Sequence, residues 1–417
     1  MAAITLQEGS TRHRIWTYGG WAAFVLFIIL VAFAYVDVGS IEIGDNSYSL
    51  SVTRLSKAIA FMVAILGLQV VVGYTGQLAL GQSFFFGTGA YITAWLVQDH
   101  NWPFLATLVV VVPFCFLLGM LLGLPALRVK GLYLALVTLA LAAVFPAIVQ
   151  LEQLSEYTNG AGGKLIDNDL EAPSWIPFEP FAEFLQALPV VGGFFGEEGL
   201  TGREIDRLWV FTFITLVAAA CFALVSNMLR SRPGRAIRAI RDNETGAAVS
   251  GVNLPLYKTL SFGVASALGG VGGMLYVTEL GIASPLDFTQ ILAINFIVGL
   301  VVGGVGTLSG AVVGGFLIAF IPEWSSSTES VGGIPERWLQ GPTGSLFLGI
   351  MLIILTFVLP GGIAQAFRRI KARYIRTIPR PPTRPGAVAK EQPVPEEGPV
   401  QEEEEVAPAG EEPVQAG

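Results

Sequence analysis

The sequence predicts an all-α integral membrane protein of about ten transmembrane helices with N- and C-termini cytoplasmic, and three observations predict it. Apolar residues make up 53% of the 417 residues and charged residues only 13%, about half the charged share usual in soluble domains. Runs such as Phe104–Leu124 carry no ionisable side chain and are long enough to cross a hydrocarbon core of about 30 Å as a helix. Lysine and arginine, finally, gather in segments separated by an even number of such runs, as loops held on the cytoplasmic side do.

Taken in order, the apolar runs give ten spans at about 16–36, 57–72, 82–98, 104–124, 131–151, 208–228, 258–279, 288–304, 308–322 and 343–359. The second, eighth, ninth and tenth are short, with soft ends. Arg12 and Arg14 set the N-terminus inside, and counting from there Arg128 and Lys130, the segment 229–258, and the flank with Arg368, Arg369, Lys371, Arg373 and Arg376 all fall inside. The loop 152–207 falls outside, with eleven acidic residues against Lys164, Arg203 and Arg207. The loop 323–342, with Glu323, Glu329 and Glu336, also falls outside. Ala32-Phe33-Ala34 resembles a signal-peptidase site, but the preceding apolar stretch exceeds the 7–15 residues of a usual signal core, which favours a retained first helix.

The organisation that follows is a cytoplasmic N-terminus 1–15, a transmembrane domain 16–360, a basic juxtamembrane segment 361–380 and an acidic tail 381–417. That tail holds nine Glu against Arg384 and Lys390. It therefore accounts for nearly all of the net charge of −8. With few large apolar residues to offset ordering entropy, the tail is expected to be disordered. Cys115 and Cys221 sit mid-run in apolar segments, where a free cysteine behaves as a small hydrophobe, and His13 and His100 lie in different flanks, so neither a disulfide framework nor a metal site is expected.

Polar groups inside the spans are few: Gln69, Thr93, Thr138, Asn227, Ser266 and Asn295, with Glu279 at a helix end. Ion-coupled carriers place ionisable groups inside the bundle, and an intramembrane enzyme needs a base, nucleophile or metal. Both classes are disfavoured, and no catalytic residue is expected. The stretch 159–165 (NGAGGKL) resembles a phosphate-binding loop but lacks its first Gly, with Thr158 there, and its final Ser or Thr, with Leu165 there.

Two regions stand out. Residues 71–95 are punctuated by Gly73, Gly76, Gly81, Gly87 and Gly89, with Gln77 and Gln82 between them. Such glycines serve either close helix packing or a broken segment beside a solute path. Tyr91, Thr138 and Asn295, with Gln77, are the candidates for groups near such a path. A second glycine-rich stretch at 299–315 faintly echoes the first (GTLSG against GQLALG). The other region is 231–258, where a helical wheel puts Arg235, Arg238 and Arg241 in one sector and Ile237, Ile240, Glu244, Ala247 and Ala248 opposite. Asp242 or Asn243 is alternatively the cap of a second short helix ending near Gly251. An amphipathic cytoplasmic loop either lies on the membrane surface or docks a soluble partner.

The motifs GYTGQLALGQSFFFGTGAY (73–91), RVKGLYLALVTLALA (128–142), TNGAGG (158–163) and GRAIRAIRDNETGAAVSGVNLPLYK (234–258) resemble, in order, those of Liv-type permease subunits of ABC importers for branched-chain amino acids. Positions Glu244, Ala247, Ala248 and Gly251 match that family's cytoplasmic coupling pattern. The resemblance implies a type II ABC importer permease-like bundle in a bacterial inner membrane, working by alternating access. It further implies a second homologous permease, two cytoplasmic ATPase subunits that hold ATP and Mg, and an extracytoplasmic solute-binding protein. The loop 229–258 would be the coupling element, with Arg235, Arg238, Arg241 and Asp242 beside the ATPase. The long tail and extended outer loop 165–206 depart from the pattern, and urea permeases share much of it. A urea or short-amide permease, a secondary carrier and a membrane scaffold are the alternatives.

Overall fold

The uncharged runs form helices, since within a bilayer a helix satisfies its own backbone polar groups. A computed structural model describes residues 4–7, 41–43, 46–48, 52–127, 131–166, 202–327, 349–350, 361–365 and 375–378. The expected first span, nearly all of the tenth, the Ala32–Ala34 site, most of the outer loop and the acidic tail lie outside the described residues.

Helix α1 (Val52–Leu68) runs on into a six-residue π-helical turn, Gln69–Tyr74. It is followed by α2 (Gln82–His100), α3 (Phe104–Ala126), α4 (Leu132–Val149) and α5 (Gly202–Arg230). Two short helices, α6 (Arg232–Asp242) and α7 (Glu244–Val249), lead into α8 (Leu254–Leu280), α9 (Gln290–Gly303) and α10 (Leu308–Ser327). Among the described residues six helices are long and apolar enough to cross a membrane, and the apolar helix Leu308–Ile321 is shorter. Each expected span from the second to the ninth coincides with a helix. The second is longer than expected: the helix begins earlier, at Val52, and its π turn carries it on to Tyr74.

Helix α8 is the mast. It packs on α1, α2 and α3 at once, which its glycines permit. A Cβ on Gly273 would collide with the Phe86 carbonyl of α2, and one on Gly89 would collide with the Gly270 backbone. Without a hydrophobic force between helices in lipid, this backbone approach is how α8 gains its packing. Beside it α1, α2, α4, α8 and α9 contribute an aromatic core in which Phe86 contacts Phe61, Tyr276, Phe288 and Phe296 at 5.4–6.0 Å between ring centres. Phe145 joins through Phe84 and Phe288.

The bundle has two distinct ends. One gathers 99–104, 149–166 and 280–288, where β1 (Lys164–Leu165) pairs antiparallel with β2 (Ile282–Ala283). The other gathers the break after the π turn, α6–α7, the break 304–307 and residues 361–365, since Gly304 touches Gly361 and Gly362. Two further short strands, Ile4–Gln7 and Ile375–Ile378, pair in parallel.

Candidate functional site

The site lies at this second end, where two helices stop and restart. In the glycine-rich stretch 71–95, Gly81, Gly87 and Gly89 pack against Thr138, Phe145 and Gly270, whereas Gly76 makes the break. With φ of +77°, Gly76 adopts left-handed backbone that a side chain would strain. The second break does the same at Gly306, φ +74°. The echo is wider than it first looks: Val71-Val72-Gly73, Gly76 and Leu78 recur as Val301-Val302-Gly303, Gly306 and Leu308.

Breaking a helix leaves backbone groups without partners, and single side chains supply them here. Gln69, fully buried, donates from Nε2 to the Gly304 carbonyl at 2.9 Å. Its Oε1 accepts from the amides of Gly306 (2.7 Å) and Thr307 (3.3 Å). Thr307 donates to the Gly304 carbonyl (2.9 Å) and accepts from the Gly310 amide (3.0 Å), capping α10. Thr138 accepts from the Leu80 amide at 2.8 Å and so ties α4 to the first break. Gln82 donates to the carbonyls of Ala64 (2.9 Å) and Ala265 (3.1 Å), fastening α2 to α1 and α8.

The loop 231–258 resolves into two helices. Asn243 caps the second by accepting from the Gly246 amide at 2.9 Å, so the capping alternative describes it and the continuous helix does not. Ile237, Ile240 and Ala247 are buried against the bundle, while Arg235, Asp242, Ala248 and Gly251 are exposed, as is Val249 at 86%. Glu244 turns inward to Lys258 of α8, 2.6 Å away. Arg238 lies over the Tyr74 ring, 5.6 Å from its centre, a cation–π contact. Arg241 goes further: its Nη1 donates to the Gly73 carbonyl. The three arginines share a wheel sector, but only Arg241 reaches the broken backbone.

The candidate path residues sit on different elements, each in its own surroundings. Tyr91 is buried among Phe145 and Phe288 with its hydroxyl unpaired. Gln77, at the first break, is buried with its amide nitrogen unpaired. Thr138 is engaged by Leu80, and Asn295 is half-buried on α9. The stretch 158–163 closes the opposite end as a compact turn, Asn159 donating to the Gly163 carbonyl at 2.9 Å, and a strand follows it where a phosphate loop needs a helix. Sequence reasoning named Gln69 without seeing its partners and passed over Thr307 and Lys258; the recurrence of 71–78 at 301–308 was the available signal for Thr307.

A family model described as branched-chain amino acid transport system / permease component matches residues 51–356. The chain is similar to the high-affinity branched-chain amino acid transport system permease protein LivM of Salmonella typhimurium, 28% identical over 304 residues, 71% of this chain and 66% of that protein. To LivM of Escherichia coli it is 30% identical over 264 residues, 62% of this chain and 59% of that one. To the permease protein LivH of Escherichia coli it is 26% identical over 162 residues, 37% of this chain and 46% of that one. The chain thus spans just under two thirds of the length of the LivM relatives. No solved structure matches.

Proposed function

The chain belongs to the family of branched-chain amino acid transport system permease components, and from that premise we propose that it is one of two membrane subunits of an ATP-driven importer for branched-chain amino acids. The observation that carries this reading is the α6–α7 element. A helix lying on a membrane keeps its apolar side toward lipid; this element gives Ile237, Ile240 and Ala247 to its own bundle. It leaves Thr245, Ala248, Val249 and Gly251 exposed at the bundle's end, a small, mostly apolar knob suited to a groove on a soluble ATPase.

The proposed assembly contains a second homologous permease, two cytoplasmic ATPases and an extracytoplasmic solute-binding protein, in a bacterial inner membrane. ATP and Mg bind the ATPases; this chain carries no catalytic residue and no cofactor of its own. Ten spans, with both termini cytoplasmic, form the domain 16–360 between a short N-terminus and the basic and acidic segments 361–380 and 381–417. The parallel pairing of Ile4–Gln7 with Ile375–Ile378 supports putting both termini on one side. Closure of the ATPase pair moves α6–α7, and the spans then expose a weakly polar path to each side in turn. The unpaired polar groups of Gln77 and Tyr91 support placing them near it, with Asn295 and Thr138 alongside.

Purifying the tagged full-length chain from its own membranes is expected to bring down two ATPases and a second permease. Reconstituted with ATP on the ATPase side, and with the solute-binding protein opposite, the complex should take up leucine, isoleucine and valine in preference to urea or short amides. Uptake by this chain alone under an ion gradient would overturn the reading in favour of a secondary carrier. An assembled complex with no solute-dependent ATP hydrolysis would make the chain a scaffold.

A further inference from the structure

Arg241 is the last basic residue of α6, and it touches both helix breaks at once. Its stem lies against the first: a Cβ on Gly76 would sit 3.3 Å from the Arg241 Cγ. Its guanidinium lies against the second, since a Cβ on Gly306 would sit 2.8 Å from Nη1, and the same Nη1 donates to the Gly73 carbonyl. From within the bundle Gln69 binds the second break through three hydrogen bonds, to Gly304, Gly306 and Thr307. It also lies close to Gly73, where a Cβ would meet both Gln69 Oε1 (2.5 Å) and the Gly306 amide nitrogen (2.8 Å). One side chain from the cytoplasmic element and one from the membrane core therefore enclose the two matched glycine turns.

We propose that Arg241 and Gln69 are positioning residues that form the joint carrying movement of α6–α7 to the inner mouth of the bundle. The proposal rests on the permease reading above and adds the route. A carbonyl exposed by a helix break and bonded to a side chain of another element loses its partner when that element moves, and a buried unpaired carbonyl is costly. Displacing α6 therefore obliges the Gly73 and Gly306 turns to follow or to rearrange. The glycine conformations allow rearrangement, and the π turn Gln69–Tyr74 supplies the slack, as irregular helical turns at functional sites do. Lysine would not replace Arg241, because its ammonium lacks the planar fork whose Nη1 bonds the Gly73 carbonyl while Nη1 and Cζ stay close to Gly306.

The test uses the complete complex with Arg241→Ala, Arg241→Lys, Gln69→Ala and the Arg241→Ala/Gln69→Ala double variant. Leucine taken up per ATP hydrolysed is the readout, because a merely structural defect lowers assembly, uptake and hydrolysis together and leaves that ratio alone. Each alanine variant should lower the ratio about tenfold and the double variant no further, the non-additivity of residues acting as one unit. Arg241→Lys should recover less than half of the loss. An unchanged ratio in Arg241→Ala, or independent multiplication of the two losses, overturns the joint. Hydrogen exchange on the purified full chain tests it even if no leucine is transported, which would sink the importer reading instead. Arg241→Ala should speed exchange of the Gly306 and Thr307 amides, which are bonded to Gln69 and not to Arg241. Unaltered exchange there overturns the joint by itself.

Discussion

The two ends of the bundle are closed by different means. At the 99–104, 149–166 and 280–288 end, short backbone pairing of β1 with β2 and the ion pair Lys164–Asp99 hold the loops together. There Thr158 donates to the carbonyls of Val149 and Leu154, and Asn159 to that of Gly163. At the α6–α7 end, two interrupted helices depend on side chains from far along the chain: Gln69 on 304–307, Arg241 on Gly73, Thr138 on Leu80. The first is a cover that can stay put. The second is an articulation, because its orphaned backbone groups are held by replaceable side-chain partners beside glycines able to change conformation. Machinery driven from one side needs its movable parts on that side.

The largest effect should come from removing the mast that spans both ends. Replacing Gly273 by Val would force a branched side chain into the Phe86 carbonyl and toward the Ala90 amide, pushing α8 off α2. Gly273→Val should leave no monodisperse protein in detergent on size-exclusion chromatography. A folded variant would mean that α8 can shift freely, and the contrast between a fixed and a movable end would lose its frame.

Next in size is Glu244→Lys, which breaks the articulated end alone. The Glu244–Lys258 pair anchors α7 to α8 across 2.6 Å, with side-chain exposures of 40% and 11%. Partial exposure limits its contribution to about 1 kcal/mol, too little to unfold the bundle. Leucine uptake by the complex should nevertheless fall by about tenfold, through a like-charge clash whose cost moves α7 off its seat. The charge-exchanged pair Glu244→Lys/Lys258→Glu should recover uptake. Failure of the exchange to do so would mean that Glu244 acts on the ATPase directly.

How much of this was legible depends on whether a feature is local. The apolar runs marked spans two to nine, and a cap at Asp242 or Asn243 was recognisable because capping is decided within three residues; Asn243 is the one that caps. Periodicity alone put Ile237 and Ile240 opposite the arginines, but the surface they bury against is the chain's own bundle, where a membrane or a soluble partner was expected. Arg241 was grouped with Arg235 and Arg238, since a wheel knows its own helix and not the broken backbone across from it. Gln69 looked like an isolated polar group inside a span and Thr138 like a group beside a path; their partners lie 58 or more positions away, and no pattern within a span reveals them. The glycines of 71–95 read as packing or break, and each position took one purpose only when its neighbour was known.

A smaller effect is expected of Thr138→Val, which keeps the shape of the side chain and removes the acceptor for the Leu80 amide. Polar contacts between membrane helices contribute about 0.6 kcal/mol on average, so thermal stability in detergent should fall slightly. Thr138→Ser should behave as the unaltered chain. If valine is equally well tolerated, the first break is held by Gly76 and Arg241 without help from α4.

The smallest effect belongs to the opposite end. Lys164→Gln removes the bond to Asp99 (2.7 and 2.9 Å), yet β1 keeps its backbone pairing with β2 and Asn159 keeps its turn. Ion pairs at such a solvent-facing edge contribute about 0–1 kcal/mol and weaken with salt. Melting temperature should therefore barely move, the residual shift should vanish in high salt, and uptake per ATP should stay as it was. The last quantity is the sharp one. A change in the uptake-to-hydrolysis ratio on neutralising Lys164 would mean that this end also moves in the cycle, and the division into a static cover and a driven articulation would fail.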